Sequence, residues 1–250
     1  MPVDSAGRRT TLDGAARRRI YLFRHGSVDY MDGNGNVVPD TDSVDLNDTG
    51  RAQAAAMRDL FADVQIDKAL CSGLQRTRQT GETVLGIRDI PLETDSGFAE
   101  IRQLDGEYTG DYDVVADIAF SHWRAPDEEA RFLGGERYSD FYARIRTAIK
   151  GVLADSSWYS LAVFAHGGTN AAILGWVTGL ELSAFGILDQ ATCCLNVIDF
   201  DMDESGNILR KTVRAMNVTA DDPVKGNRHS GDMETLAYWL LKRGTDSQSL

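Results

Sequence analysis

Residues 20–26 read Ile-Tyr-Leu-Phe-Arg-His-Gly, and residues 160–168 read Ser-Leu-Ala-Val-Phe-Ala-His-Gly-Gly. Each is a short apolar run that stops at a histidine followed by glycine. Runs of this length bounded by glycine are the pattern of strands buried on both faces. In open α/β sheets ligands collect beyond the carboxyl ends of the strands, and both histidines fall there. The chain has four histidines in all, His25, His122, His166 and His229, so two of the four sit at the ends of its two clearest strands.

Working outward, residues 67–71 and, more weakly, residues 90–93 read as further strands. Residues 193–200 and 209–216 read as two more, joined by an acidic turn at residues 201–207. Between them the apolar spacing turns helical. Thr49 is the expected cap of a helix carrying Ala52, Ala55, Ala56, Leu60 and Phe61, and residues 75–85 form the next. Residues 138–153 place Phe141, Ile145, Ile149 and Val152 on one stripe, and residues 169–178 and 232–242 complete the set. Strands alternating with helices predict an α/β fold, a three-layer αβα sandwich on a mostly parallel mixed sheet. Residues 29–48 read as a loop rich in Gly, Asn and Asp. Residues 101–135, acidic and aromatic with Tyr108, Tyr112, Phe120 and Trp123, read as a small inserted cap. Order is expected from Arg19, with residues 1–18 a disordered extension and residues 19–250 one domain.

Composition narrows the function. A formal net charge of −12, from Lys+Arg 26 against Asp+Glu 38, leaves no basic face for a nucleic acid. No apolar run reaches the roughly 20 residues of a membrane span. The N-terminal residues lack the apolar stretch of a secretory signal. Cys71, Cys193 and Cys194 make neither a disulfide framework nor a metal-ligand spacing, which suits a reducing compartment and a cytoplasmic protein. Residues 32–36 hint at a calcium loop, but Val37 stands where the turn glycine belongs and Ser43 where the bidentate glutamate belongs.

The residues clustered by these strand ends suggest a chemistry. Arg24 precedes His25, Arg76 follows the strand at residues 67–71, and Glu100 lies in Gly-Phe-Ala-Glu-Ile at residues 97–101. Two histidines, two arginines and a glutamate amount to an anion clamp, an imidazole nucleophile and a proton donor. Arginine matches phosphate oxygens in a fork, and imidazole is a competent covalent nucleophile. Arg76 at a helix start opposes the helix dipole, which favours a bound anion there. His122 and His229 lack any motif and read as surface or interface residues.

The segments LFRHGS, CSGLQRTRQT, GFAEIRQLDGEYTG, GGERYSDFYARI and FAHGGTNAAIL stand in the order seen in the histidine phosphatase superfamily, which the chain resembles over about residues 20–200. An isolated Arg-His-Gly is a weak signal, whereas the ordered set is a strong one. The resemblance implies the phosphoglycerate-mutase-like fold and a histidine acid-phosphatase-type phosphoric monoester hydrolase. It makes His25 the nucleophile that becomes a phosphohistidine, and it assigns Arg24, Arg76 and His166 to the transferring phosphoryl group. Glu100 would be the acid and then the base, and Ser27 the only nearby hydroxyl for an outer phosphate contact. It implies no metal or organic cofactor.

Three departures stand out. Val28 occupies the usual hydroxyl position, Tyr30-Met31 replaces the usual Trp-Asn pair, and Gly106 comes late after Glu100, which leaves Asp105 and Glu107 as alternative acids. The substrate expected is a small phosphorylated metabolite. A phosphoglycerate mutase is the alternative enzyme, and a non-catalytic phosphate-binding module the alternative of another class. Residues 105–117 carry five acidic side chains and no Lys or Arg, which argues against the second phosphate site of a mutase. Residues 193–198 fit a homodimer edge as well as a core strand.

Overall fold

The computed structural model describes residues 10–11, 13–31, 38, 40–104, 112–226 and 228–247. Six strands are β1 (Ala16–Arg24), β2 (Lys68–Cys71), β3 (Leu92–Thr94), β4 (Ser160–Ala165), β5 (Leu195–Met202) and β6 (Ile208–Val218). They form one sheet in the order β3-β2-β4-β1-β5-β6. The β3-β2, β2-β4 and β4-β1 pairings are parallel, and β1-β5 and β5-β6 are antiparallel. The expected mostly parallel mixed sheet is therefore present.

Alternation along β1 decides the layers. Ile20 and Leu22 face the cluster built from α4 (Tyr138–Ala154) and α5 (Gly167–Thr178), with Phe141, Ile145, Ile149 and Ile173 fully buried. Phe23 turns the other way, to α1 (Asp48–Leu60) and α2 (Gln75–Leu85), where it stacks on Phe164 at 4.8 Å and meets Phe61 edge-on at 5.2 Å. Burying one such ring stabilises the fold by roughly 1.5–3 kcal/mol.

Two helices lie apart from these layers. The helix α3 (Tyr112–Ala119) packs through Val115 and Ile118 on Ala237 and Leu240 of α7 (Asp232–Ser247), a third and separate apolar cluster. The short helix α6 (Ala184–Ile187) precedes β5. No helix is long and apolar enough to cross a membrane among the described residues.

The structure corrects several expectations. The first strand begins at Ala16, not Arg19, because the charged run at residues 17–19 finds partners. Arg17 pairs with Asp201 and Arg19 with Asp199 on β5, while Arg18, 5% exposed, donates to the carbonyls of Trp158 and Leu153. The acidic turn is not wholly solvated either, since Asp201 is 2% exposed between Arg17 and Arg210. Asn47 rather than Thr49 caps α1, accepting from Gly50 N. The strand at residues 193–198 is no edge for a dimer, because β5 lies between β1 and β6.

Candidate active site

Register brings the two histidines together. Arg24 on β1 pairs with Ala165 on the parallel β4, so the next residues, His25 and His166, leave the sheet side by side. Their ring centroids are 5.3 Å apart, with His25 2% exposed and His166 fully buried.

His25 is fixed from several sides. Its N–H donates to Ala165 O, and its carbonyl accepts from Cys193 N. The following Gly26 N donates to Thr80 Oγ1 of α2. A Cβ on Gly26 would stand 2.7 Å from Gly50 O, so only glycine lets the loop pass α1. The ring nitrogen Nδ1 lies 2.8 Å from the carbonyl oxygen of Gly26. A carbonyl only accepts, so Nδ1 carries the proton and Nε2 keeps its lone pair. Burial, reinforced by Arg24 and Arg76, holds the pKa of His25 well below its ordinary value, which keeps that lone pair available in mildly acidic solution.

His166 is held differently. Its Nε2 lies 2.8 Å from Ser72 Oγ, which lies 2.9 Å from Thr77 Oγ1, and Thr77 in turn donates to Leu74 O. Following the protons back from that carbonyl, Ser72 donates to Thr77, and His166 Nε2–H donates to Ser72. The other nitrogen, Nδ1, is buried and has no hydrogen-bond partner. Burial, with Arg76, His25 and Arg24, depresses its pKa as well.

The two arginines show the same incompleteness. Arg24 donates through Nη1 to Gln190 O at 2.5 Å, and its Nη2 lies 2.5 Å from Asp232 Oδ2. Arg76, 4% exposed, donates through Nη1 to Thr41 O at 2.8 Å. The Nε of each is buried and unpartnered. Among the described residues, five buried side-chain nitrogen or oxygen atoms lack a partner, and Arg24 Nε, Arg76 Nε and His166 Nδ1 are three of them. A buried polar group left unpaired costs roughly 1–3 kcal/mol, so the two arginine Nε donors, beside a His166 Nδ1 that can take up a proton when an anion arrives, describe a site shaped for an anion.

Glu100 borders the same site. Its carboxylate accepts from Gly168 N at 3.0 Å, Thr169 N at 3.1 Å and its neighbour Ile101 N at 3.0 Å. It thus sits at the N-terminus of α5, next to His166. A Cβ on Gly168 would meet Glu100 Oε1 at 2.6 Å. Ser27 follows Gly26 in the loop after β1. Its hydroxyl accepts from Asn47 Nδ2 and its N–H donates to Gln53, which ties it to α1. Asp105 and Glu107 lie outside the described residues, as does Tyr108.

Several participants carry no sequence motif. Arg144 of α4 donates to the carbonyls of Gly97, Ala99 and Glu100 and to Glu136, clamping the Glu100 loop. Gln190 and Asp232 fix Arg24 from segments far along the chain. Ser72 and Thr77 stand beside Arg76 in Ser-Gly-Leu-Gln-Arg-Thr, so their place could have been read from that motif. His122 is not the surface residue expected. Its ring stacks on Phe132 at 5.6 Å, its Nδ1 lies 2.9 Å from Tyr138 Oη, and burial lowers its pKa to about 4. Phe120 and Trp123 are exposed.

Known proteins resemble this chain in sequence and in fold. The model of the histidine phosphatase superfamily (branch 1) matches residues 20–212. A 2-carboxy-D-arabinitol-1-phosphatase of Triticum aestivum is 23% identical over 237 residues, 94% of this chain but 48% of the wheat protein. The chain therefore spans about half the length of that relative. An adenosylcobalamin/alpha-ribazole phosphatase of Salmonella typhi is 24% identical over 72% of this chain and 90% of its own. Among solved structures, a mycobacterial glucosyl-3-phosphoglycerate phosphatase superposes with a TM-score of 0.66 at 22% identity, covering 80% of this chain and 99% of that one. It shares the fold.

Proposed function

The chain belongs to the histidine phosphatase superfamily, and we propose that it is a phosphomonoester hydrolase working through a phosphohistidine on a small phosphorylated metabolite. The observation that carries this reading is the convergence of Arg24 Nε, Arg76 Nε and His166 Nδ1, all unpartnered, around a histidine whose Nδ1 is committed to a carbonyl.

The steps follow from these atoms. The substrate binds as its monoanion, and its phosphoryl proton passes to the Glu100 carboxylate. Arg24 and Arg76 take up the phosphoryl oxygens and neutralise the charge that develops on them, and His166 joins them by taking a solvent proton on Nδ1 as the anion binds. The His25 Nε2 lone pair then attacks phosphorus, the bond to the ester oxygen breaks, and Glu100 returns its proton to the departing alkoxide. In the second half a water gives a proton to Glu100 while its oxygen attacks phosphorus. The P–N bond breaks, Glu100 passes its proton to the departing phosphate, and phosphate, free His25 and the Glu100 carboxylate result. General acid–base help of this kind contributes typically ~10²–10⁴-fold. A nucleophile held neutral by burial supports the acid-phosphatase type. The three buried, unpaired cysteines support a reducing, cytoplasmic setting.

The test is phosphate release from a panel of sugar phosphates, glycerate phosphates, phosphoamino acids and nucleotides, with and without 2,3-bisphosphoglycerate. Release indifferent to the bisphosphate, and lost by at least 10³-fold in His25→Ala, is the expected result. Equal release by both proteins would sink the mechanism. Isomerisation that needs the bisphosphate would make the chain a mutase.

A further inference from the structure

Arg24 is held from outside the region that the family model matches. That match ends at residue 212, and Asp232 opens α7 beyond it. The Asp232 carboxylate contacts Arg24 Nη2 at 2.5 Å and accepts from Arg228 Nη2 at 2.9 Å. Arg228 is itself shared, its Nε and Nη2 donating to Asp189 at 3.0 and 3.3 Å. Burial opposes ionisation of Asp232, but Arg24 and Arg228 outweigh it and hold its pKa at about 2. It is a fixed negative charge throughout the range in which an enzyme is assayed.

Its position is fixed as well. Ala237 and Leu240 of α7 pack on Val115 and Ile118 of α3, so the carboxylate rides on an anchored helix rather than a loose tail. One guanidinium thus presents Nε to the anion site and Nη2 to a carboxylate. A phosphoryl group on Arg24 Nε therefore lies within one guanidinium width of Asp232, a separation at which two charges interact even where solvent reaches one of them. Among the described residues, the other cation bonded to Asp232 is Arg228, which is already divided between two carboxylates. On the open side stands Tyr30, whose ring carries no charge to receive a second anion and lies 5.8 Å from the Arg76 guanidinium.

We propose that Asp232 is a specificity-determining residue, which disfavours phosphomonoesters whose leaving alcohol carries a carboxylate or second phosphate close to the ester and favours those whose alcohol is neutral or cationic there. This rests on the phosphatase reading and names the class of substrate within it. Specificity of this kind is a difference between two affinities, set here by repulsion rather than by a new contact.

The experiment compares glycerol 3-phosphate with 3-phosphoglycerate, which differ only in a hydroxymethyl group against a carboxylate. The wild type favours glycerol 3-phosphate in kcat/KM. Asp232→Asn keeps an oxygen that accepts from Arg24 but removes the charge, and it raises the ratio of 3-phosphoglycerate to glycerol 3-phosphate about tenfold. Asp232→Glu, which restores the charge, keeps the wild-type preference. An unchanged ratio overturns the proposal. So does an equal loss on both compounds, which would mark Asp232 as a support for Arg24 alone. If the wild type binds inorganic phosphate yet hydrolyses neither compound, the phosphatase reading has failed. The ratio of calorimetric Kd values for the two compounds, which needs no turnover, then decides the role of Asp232 by the same criterion.

Discussion

Two groups of arginines share one strand and come to opposite ends. Arg17 and Arg19, in the first half of β1, reach across to Asp199 and Asp201 of β5, and Arg210 and Arg214 of β6 meet the same two carboxylates. Arg17 and Arg19 each donate twice to a carboxylate, so their charge is answered within the sheet. Arg24, at the end of the strand, and Arg76, across from it, are more deeply buried yet keep Nε unanswered. The same residue type is structural where the fold supplies the anion and functional where it withholds it. Burial alone does not separate the two cases; the state of the last donor does.

The largest break in that comparison is Arg76→Ala. Removing one donor to a developing oxyanion costs about 10²–10³-fold in kcat/KM. It also deletes a buried cation whose Nε is unanswered and whose bond is to the carbonyl of Thr41, so Tm should fall little. Steady-state kinetics paired with calorimetry checks both halves, and a large drop in Tm with kcat/KM retained would reverse the assignment.

Asp199→Ala is the mirror experiment. Asp199 is 1% exposed and holds Arg19 and Arg214. Burial works against its ionisation, but those arginines keep its pKa below the usual range. Leaving them unanswered should cost about 3 kcal/mol, the low end for a broken buried pair because their side chains reach water. Denaturant unfolding should show that loss while kcat/KM per folded molecule stays level.

The smallest effect sharpens the picture of the site. His25 and His166 are held neutral, with pKa values below 6.5. As pH falls below about 6.5 the unfolded chain takes up protons that the folded one refuses, so stability declines with acidity. The loss is on the order of 1 kcal/mol per histidine per pH unit. Saturating inorganic phosphate gives His166 Nδ1 a partner and raises its pKa, so it should blunt the decline. A Tm that is flat from pH 7 to 5.5, or indifferent to phosphate across that range, would contradict the buried, unpartnered histidine.

Most of the scaffold was legible in the sequence, for local reasons. Apolar runs ending in His-Gly mark strands that stop at a site, and residues 75–85 and 138–153 carry a helical period that survives in α2 and α4. The misreadings fall where charge was judged without its partner. Residues 17–18 read as disordered and His122 as a surface or interface residue, because a sequence shows that a group is polar but not whether another strand or ring satisfies it.

By itself, then, the sequence determined the sandwich, the strand ends at which chemistry collects, and the identity of His25, Arg24, Arg76, Glu100 and His166 as its candidates. Those features depend on periodicity and short motifs, which are properties of neighbours in the chain. Only the tertiary structure decided which donors go unanswered, that Glu100 rests on the N-terminus of α5, and that Asp232 stands against Arg24. These depend on distances between segments far apart in sequence, and hydrogen bonds and Coulomb forces respond to those distances and not to the order of the residues.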